Sequence, residues 1–502
     1  MKDETLFLDG SSLTADVLSD SARDARQVRL SEEGLARMAA ARRLVDAAVA
    51  HGEPVYGVTT GLGARVGEAL PAEALSEFSY QTLRGRAHAV GSPLPPQVVR
   101  AAMIVRLNTL LSGAAAASPA VAEHLLACLN AGLVPVVGES ASVGAGDLVW
   151  NATLGLALVG EGPMSDADGR VQIGAEALRA AGIAELTLGP RDGLALANHS
   201  GFSAALAALG VAEAADAYEA LQSAAALSME GFRANLSPLD PRVLALRPQP
   251  GQAEAAEGLR LRLAGSSLER PGAARRLQDP TSFRNLAQVH GAVQAAQEFA
   301  RRAADWEING ASDNPVALVD DGVIVSGGAY HTPHLTSALE TLSRACTHAA
   351  MTQLGRLSKM MASRFTDLPL FLARGEAQSN GFAPVLKVAE AVAAELAQAA
   401  QPAPVWPSVS ADGVEDSLTS APVAAKALLV VADRLRKLVA IELMIAAQAV
   451  DLRGCERELS PWMARVYARV RERCPPLAED RPLGAEIDAL AEEVGAGRFG
   501  AE

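Results

Sequence analysis

The sequence predicts a mainly α-helical protein, and three observations support this fold class. Alanine saturates long stretches, among them residues 292–304 and 389–400, and alanine costs the least free energy in a helix. Aromatic residues make up only 4% of the chain. Apolar residues recur every three to five positions from Leu335 to Leu354, which is the stripe that one face of a buried helix requires. At 502 residues the chain exceeds one ordinary domain, although long helices in a shared core can carry this length.

The predicted elements change character along the chain. From about residue 30 to residue 200, short helices alternate with Gly-rich turns, and a polar turn at 164–170 leads into a short strand at 171–173. After Asn198 long helices take over, among them one that starts near Pro384 and one over 421–452. The sequence therefore predicts three consecutive parts: a loop-rich N-terminal helical domain (1–200), a central long-helix bundle (201–450) and a C-terminal helical tail (451–502).

Composition excludes several classes of partner. A net charge of −14 without any block of Lys or Arg argues against binding to nucleic acid or to an anionic membrane. The first residues lack a signal pattern and no uninterrupted apolar run reaches spanning length, so we expect a cytoplasmic protein. The cysteines have no CxxC spacing and no histidine pair has ligand spacing beside a carboxylate, so we expect buried free thiols and no metal site.

Short motifs follow one another in a fixed order from Tyr56 to Asp416. They are Tyr56-Gly57-Val58-Thr59-Thr60-Gly61-Leu62-Gly63, His88-Ala89, Arg106-Leu107-Asn108-Thr109, Gly193-Leu194-Ala195-Leu196-Ala197-Asn198, Gln278-Asp279-Pro280-Thr281-Ser282-Phe283-Arg284, Asp313-Asn314-Pro315, Ser326-Gly327-Gly328 and Glu415-Asp416. Each motif is weak alone, but in this order the set resembles the histidine and phenylalanine ammonia-lyase family. The resemblance implies a long-helix bundle, a carbon–nitrogen lyase, and a homotetramer whose active sites draw loops from more than one subunit.

One loop departs from the family where the family's chemistry takes place. The family loop Gly-Ser-Val-Gly-Ala-Ser-Gly-Asp-Leu contains an Ala-Ser-Gly that cyclises and loses water to give MIO, an electrophile that activates the amine. Here the loop is Ser140-Ala141-Ser142-Val143-Gly144-Ala145-Gly146-Asp147-Leu148, and, anchored on Gly-Asp-Leu, the serine is replaced by Ala145, which has no hydroxyl to lose. If the alignment is anchored on Ala141-Ser142 instead, Val143 occupies the position of the glycine whose unhindered backbone must curl back for cyclisation. We therefore predict that the loop of Gly144, Ala145 and Gly146 carries no MIO and that the protein uses no other cofactor. The alternative is that this loop is an ordinary, structural Gly-rich turn.

Three further departures favour altered chemistry. Thr281, Ala329 and Tyr330 replace the tyrosine, asparagine and phenylalanine of the family pattern, whereas other motif residues are kept. A quaternary amine needs no activation, because trimethylamine leaves as a neutral molecule. We therefore expect a histidine-type betaine as substrate, as in the ergothionase branch of the family, with ergothioneine giving thiourocanate and trimethylamine. The alternatives are an MIO-dependent, histidine-type aromatic amino-acid ammonia-lyase and a catalytically silent member of the fold.

The resemblance also assigns the principal roles. Tyr56 matches the loop tyrosine that would remove the Cβ proton, although an unperturbed phenol has a pKa of about 10, and a residue that packs the turn is the alternative. Arg284 would clamp the substrate carboxylate with its planar fork, with a surface ion pair as the alternative. Glu415 would face the quaternary ammonium or an imidazole nitrogen, because a buried cation needs a counter-charge.

Five further residues complete the predicted site. Trp150 and Tyr330 would offer aromatic faces to the quaternary ammonium, although either could be a core residue. Asn198 would bind the carboxylate or position the loop, and His88 would bind substrate or serve the structure. Lys387 would stabilise negative charge on the ring sulfur, with a surface pair to Glu390 as the alternative.

Overall fold

The structure is a computed structural model that describes residues 5–374, 378–407 and 410–500. Helices dominate it, which confirms the mainly α prediction. The helices are α1 (Ala15–Arg23), α2 (Glu32–His51), α3 (Leu75–Arg84), α4 (Pro96–Leu110), α5 (Pro119–Asn130), α6 (Leu148–Leu158), α7 (Gly174–Ala180), α8 (Asp192–Ala197), α9 (Gly201–Phe232), α10 (Pro241–Leu244), α11 (Gln252–Leu263), α12 (Thr281–Arg284), α13 (Leu286–Asn309), α14 (Pro333–Met360), α15 (Ser363–Thr366), α16 (Ala383–Ala399), α17 (Ala421–Arg453), α18 (Pro461–Arg473) and α19 (Gly484–Gly495). The strands are β1 (Leu6–Leu8), β2 (Val28–Leu30), β3 (Val90–Pro93), β4 (Val134–Pro135), β5 (Gly138–Ser140), β6 (Pro163–Ser165), β7 (Val171–Ile173), β8 (Val316–Leu318) and β9 (Val323–Val325).

The chain forms two compact units, each built from separated stretches of sequence. The loop unit comprises Met1–Leu209, Arg301–Ser337 and Ala403–Lys426, and the bundle unit comprises Gly210–Ala300, Ala338–Pro402 and Ala427–Glu502. The predicted parts, 1–200, 201–450 and 451–502, follow chain order instead. The two descriptions differ because α9, α13, α14 and α17 each cross a boundary between the units.

The loop unit contains every strand found in the described residues, and all of these strands are short. β1 and β2 pair in parallel; β3 pairs with β5, β6 lies between β4 and β7, and β8 pairs with β9, all antiparallel. The short strand expected at 171–173 is therefore present as β7. The helices of this unit are capped by residues at their own ends. For example, α2 begins where the Ser31 hydroxyl accepts a hydrogen bond from Gly34 N at 3.0 Å, and it ends at Gly52, which has φ of 64°.

The bundle unit contains the long alanine-rich helices that the sequence predicts. α14, α16 and α17 coincide with the three expected stripes, and Pro384 lies in the first turn of α16. Small residues let the helix backbones approach closely: a Cβ added to Gly231 of α9 would lie 2.9 Å from the Cβ of Ala449 in α17. Alanine therefore serves both helix propensity and close packing in this unit.

Burial characterises both the most apolar helical segment and the cysteines. One helical segment of the described residues, Asp192–Phe232, is apolar and long enough to cross a membrane, and its most apolar stretch is entirely buried, as in the core helix of a globular protein. The expected thiols are present as free cysteines, of which Cys128, Cys346 and Cys474 are buried and Cys455 is partly buried. The cytoplasmic location stays a prediction.

A fully buried ion pair lies at the centre of the bundle unit. Arg356 of α14 donates from Nε to Glu442 Oε1 at 2.7 Å and from Nη2 to Glu442 Oε2 at 2.9 Å. The Ser228 hydroxyl of α9 donates to the same carboxylate at 2.8 Å. Both charged side chains have 0% exposure, so neither has water as an alternative partner. This pair joins three helices of the unit.

We predict that Glu442→Gln destabilises the bundle unit by about 3 kcal/mol or more, because Arg356 is left as a buried, uncompensated cation. The matched control is Glu395→Gln, which removes an exposed partner of Arg434 (2.6 Å) and is expected to cost less than about 1 kcal/mol. Denaturant unfolding monitored by circular dichroism measures both. Equal midpoints for the two variants would contradict the prediction.

Candidate active site

Two glycines in left-handed conformation shape the loop that departs from the family pattern. Gly144 has φ of 83° and Gly146 has φ of 78°. A Cβ on Gly144 would collide with the Thr419 hydroxyl, and a Cβ on Gly146 would lie 2.6 Å from Asn198 Oδ1. Only glycine fits at these two positions, since both the backbone angle and the available space exclude a side chain. Ala145 lies between them and is partly exposed.

Hydrogen bonds from two sides hold this loop in place. The Thr419 hydroxyl donates to Gly144 O at 2.9 Å. On the other side, His199 N and Asn151 Nδ2 both donate to Gly146 O, at 3.1 and 3.2 Å. Because both carbonyls flanking Ala145 are bonded, the backbone of the loop is fixed before any ligand arrives.

Asp147 ties the loop to the start of α9. Its carboxylate is buried and accepts from the hydroxyls of Ser142 (2.5 Å) and Ser203 (2.9 Å) and from Ser203 N (2.7 Å). Burial raises the pKa of Asp147, while these donors act in the opposite direction. The Ser142 hydroxyl also accepts from Gly144 N at 3.1 Å, so it both donates and accepts within the loop.

This loop does not fit the MIO group. Its central residue, Ala145, has no hydroxyl to eliminate. The nearby serine that could be aligned instead, Ser142, is bound to the Asp147 carboxylate and is followed by Val143. The absence of MIO nevertheless stays a prediction, and the mass measurement proposed below tests it.

A buried cluster of charges lies behind the loop. Asp313 accepts from Arg106 Nη2 at 2.8 Å and from Arg106 Nη1 at 3.0 Å, and Arg191 Nη2 lies 3.8 Å from the same carboxylate. Burial lowers the pKa of Arg191 to about 10. Arg191 and Asn198 both donate to Asn314 O, at 3.2 and 3.1 Å. The motifs that carry Arg106, Asn198 and Asp313 therefore belong to one structural network.

Tyr56, Arg86 and Glu415 converge in the loop unit. The Tyr56 hydroxyl accepts from Gly63 N at 3.1 Å, and a Cβ added to Gly63 would lie 3.6 Å from that of Ala411, in the segment that leads to Glu415. Burial lowers the pKa of Arg86, and the charges of Tyr56 and Glu415 act in the opposite direction, as nearby anionic groups do. A potential base, a cation and a carboxylate thus share one region, and all three are partly buried.

Arg86 is not among the site residues that the sequence predicts. It lies two residues before His88 in the stretch Gly85-Arg86-Ala87-His88-Ala89, and the family motif drew attention to the histidine. The signal that was present is an arginine between the small residues Gly85 and Ala87. His88 itself is exposed.

The other predicted residues of the loop unit have different surroundings. Asn198 positions the loop, since its Oδ1 lies beside Gly146 and its Nδ2 is bound to Asn314 O. Tyr330 is partly buried, and its Cβ would be 3.6 Å from a Cβ on Gly146. Trp150 is a core residue: it is 1% exposed, donates to Gly138 O at 2.8 Å and packs its ring on Phe202 at 5.3 Å between centroids. The structure does not support the expectation that its ring contacts a substrate, because the ring is covered.

Arg284 and Lys387 belong to the bundle unit. Arg284 is partly buried and donates from Nε to Asp279 O at 2.8 Å, so it is held by a backbone carbonyl rather than by the surface ion pair considered as an alternative. Lys387 is exposed on α16, and the described residues show no ion pair between Lys387 and Glu390. Their predicted roles toward substrate stay predictions.

Comparison with known proteins yields matches over almost the whole chain. The model of the aromatic amino acid lyase family matches residues 13–472. Histidine ammonia-lyase from Anaeromyxobacter dehalogenans is 37% identical over 98% of this chain and 99% of its own length. Histidine ammonia-lyase from Symbiobacterium thermophilum is also 37% identical, over 97% of this chain and 96% of its own.

Two solved structures are similar at the level of the fold. Ergothionase from Treponema denticola, an ergothioneine-degrading enzyme, is 29% identical, with a TM-score of 0.92 over 99% of both chains. Histidine ammonia-lyase from Trypanosoma cruzi is also 29% identical, with a TM-score of 0.92 over 99% of this chain and 94% of its own. Structural similarity therefore does not discriminate between the two activities.

The relatives correct the expected reaction. Trimethylamine elimination from a histidine betaine, which we expected from the missing serine, is wrong, because the full-length relatives at 34–37% identity are histidine ammonia-lyases. They favour the alternative, a histidine-type ammonia-lyase. The predicted contact of Lys387 with a ring sulfur depended on this betaine substrate.

We predict that Gly146→Ala destabilises the protein more than Gly169→Ala does. Gly169 has nearly the same φ, 79°, but a Cβ there would meet nothing within 4 Å, so this control measures only the left-handed strain of about 1–2 kcal/mol. Gly146→Ala additionally displaces Asn198 and should raise amide exchange at His199, which donates to Gly146 O. Thermal unfolding and hydrogen exchange measure these effects. Identical unfolding midpoints would contradict the collision at Gly146.

Proposed function

Since this chain belongs to the aromatic amino acid lyase family and is a carbon–nitrogen lyase, we propose that its substrate is an amino acid with an imidazole side chain. The reaction would release the α-amine as ammonia and leave an α,β-unsaturated acid. Similarity to histidine ammonia-lyases supports the substrate class. The single structural observation that carries the proposal is that the segments of Tyr56 and Glu415 meet in the loop unit, where Gly63, which donates to the Tyr56 hydroxyl, lies against Ala411.

The proposed elimination requires that a base remove a proton from Cβ of the substrate. The Tyr56 phenolate takes the Cβ proton, the electron pair of that bond forms the Cα–Cβ double bond, and the pair of the Cα–N bond leaves with nitrogen. An α-ammonium group then departs as neutral ammonia. A protonated imidazole attached to Cβ withdraws electrons from the developing carbanion, and Glu415 is a carboxylate suited to hold that cationic ring. The imidazole side chain therefore assists removal of the Cβ proton, while nitrogen leaves as ammonia without an electrophile from the loop.

We further propose that the enzyme works without MIO and assembles as a homotetramer. The absence of a hydroxyl at Ala145 supports the first part. The family resemblance supports the second, and large apolar side chains such as Phe7 (58% exposed) and Val405 (77% exposed) are available for contacts between subunits. Light scattering measures the assembly.

A catalytically silent binding protein is the second candidate, and Ala145 favours it. Without an electrophile the amine is not activated, so the same site would bind an imidazole amino acid without converting it. Histidine that binds but yields no ammonia would identify this candidate.

We predict that the protein converts L-histidine to urocanate and ammonia and that Tyr56→Phe lowers kcat about a hundredfold or more, because the general base is lost. Tyr80→Phe is the matched control: its hydroxyl bonds Leu186 O at 3.2 Å, within the same unit, and its loss should leave kcat nearly unchanged. The urocanate chromophore and released ammonia are measured together. Full activity of Tyr56→Phe would refute the role of Tyr56, and the absence of both products from the wild-type protein would refute the proposed reaction.

We predict that the intact mass of the protein equals that of its unmodified sequence and that Ala145→Ser loses two waters, because serine restores the hydroxyl that dehydration requires. Ser142→Ala is the control and should retain the unmodified mass. Mass spectrometry of the intact chains measures all three. A wild-type chain lighter by two waters would contradict an MIO-free loop, and Ser142→Ala would then show whether Ser142 is the precursor.

A further inference from the structure

A cavity of about 820 Å³ lies in the bundle unit, between α10 and the start of α11. This volume is in the range of pockets that hold small molecules. The residues that line the cavity lie within 241–260, a stretch that contains none of the predicted site residues. Most of its wall is apolar and is formed by Pro241, Leu244, Ala245, Pro248, Pro250 and Ala253.

Two neighbouring residues hold the wall of this cavity in place. The Gln252 side chain is 4% exposed and donates from Nε2 to Arg247 O at 3.3 Å, which ties the start of α11 to the segment that follows α10. Gly251 has φ of 75°, and a Cβ there would collide with Gly291 O of α13, so the connection packs directly on the backbone of a long helix. The cavity is therefore formed before any ligand binds.

The polar groups that this cavity offers to a ligand are hydrogen-bond acceptors. Arg260 lines the cavity, but it pairs with Glu257 and donates from Nη1 to Leu239 O at 3.0 Å. Glu254 also lines the cavity, and it forms no ion pair or hydrogen bond in the part of the chain that the structure describes. Within the same described ranges, Gln252 Oε1 accepts no hydrogen bond. A carboxylate and an amide oxygen are therefore available, whereas the guanidinium is already engaged.

We propose that this cavity is a second binding site, additional to the candidate active site, and that its ligand is a small amphipathic cation. The apolar body of the ligand packs on the prolines and alanines of the wall, which removes apolar surface from water. Its ammonium group donates to Glu254 and to Gln252 Oε1, and hydrogen bonds of a cation to a carboxylate are stronger than those between neutral groups. An anionic ligand is disfavoured, because it would face Glu254 while Arg260 is engaged.

A matched pair of ligands tests this site. Phenethylamine, which is protonated at neutral pH, and phenethyl alcohol share one apolar body and differ in charge. Calorimetric titration of the full-length protein should show that the amine binds about fivefold more tightly or better. Glu254→Gln should abolish this preference, because the carboxylate is lost while the wall is kept. The control is Glu298→Gln, which removes the same charge from an exposed position on α13 outside the cavity and should keep the preference.

Ala253→Trp tests the location of binding. A tryptophan at this exposed position fills part of the cavity, so both ligands should bind about tenfold more weakly or worse, while circular dichroism stays that of the wild type. Equal affinities for amine and alcohol in the wild type, an unchanged preference in Glu254→Gln, or undiminished binding to a folded Ala253→Trp would each overturn the assignment. These outcomes are independent of the histidine assay, because neither ligand is an amino acid and Glu254 and Ala253 are not residues of the candidate active site.

Discussion

The buried charge cluster around Asp313 is the interaction on which the architecture of the candidate site depends. Asp313 binds Arg106 of α4 through both oxygens and lies near Arg191, whose side chain in turn binds the carbonyl of Asn314. Asn198 binds that same carbonyl and lies beside Gly146. Because a buried arginine is costly without such partners, these segments are constrained to one arrangement, and the loop at Ala145 is positioned by it.

The loop itself is rigid for reasons that do not involve its central side chain. Left-handed glycines set its shape, Thr419 and His199 hold its carbonyls, and Asp147 anchors it to the start of α9. Ala145 is therefore presented by a well-defined backbone although it lacks a reactive group. The loop backbone is thus held in place without a reactive side chain. This is consistent with a site in which charges of the substrate and the protein, rather than an electrophile, activate the substrate.

The relatives and the site geometry constrain function in different ways. Identity to histidine ammonia-lyases favours an imidazole amino acid, whereas solved structures of ergothionase and histidine ammonia-lyase resemble this chain equally well. Our inference of a betaine treated the missing serine as evidence about the leaving group. The meeting of the Tyr56 and Glu415 segments allows another interpretation, in which the ring of the substrate is a group that the site recognises.

The sequence by itself determined the helical class, the long helices and the order of the motifs, because alanine content and apolar spacing are local properties and motif order is fixed in the chain. It also determined that Ala145 has no hydroxyl. Only the tertiary structure decided that Trp150 is covered, that Asn198 supports the loop, and that the segments of Tyr56 and Glu415 meet at Gly63 and Ala411. Burial and electrostatic contact depend on segments far apart in sequence, and no local pattern specifies which of them meet.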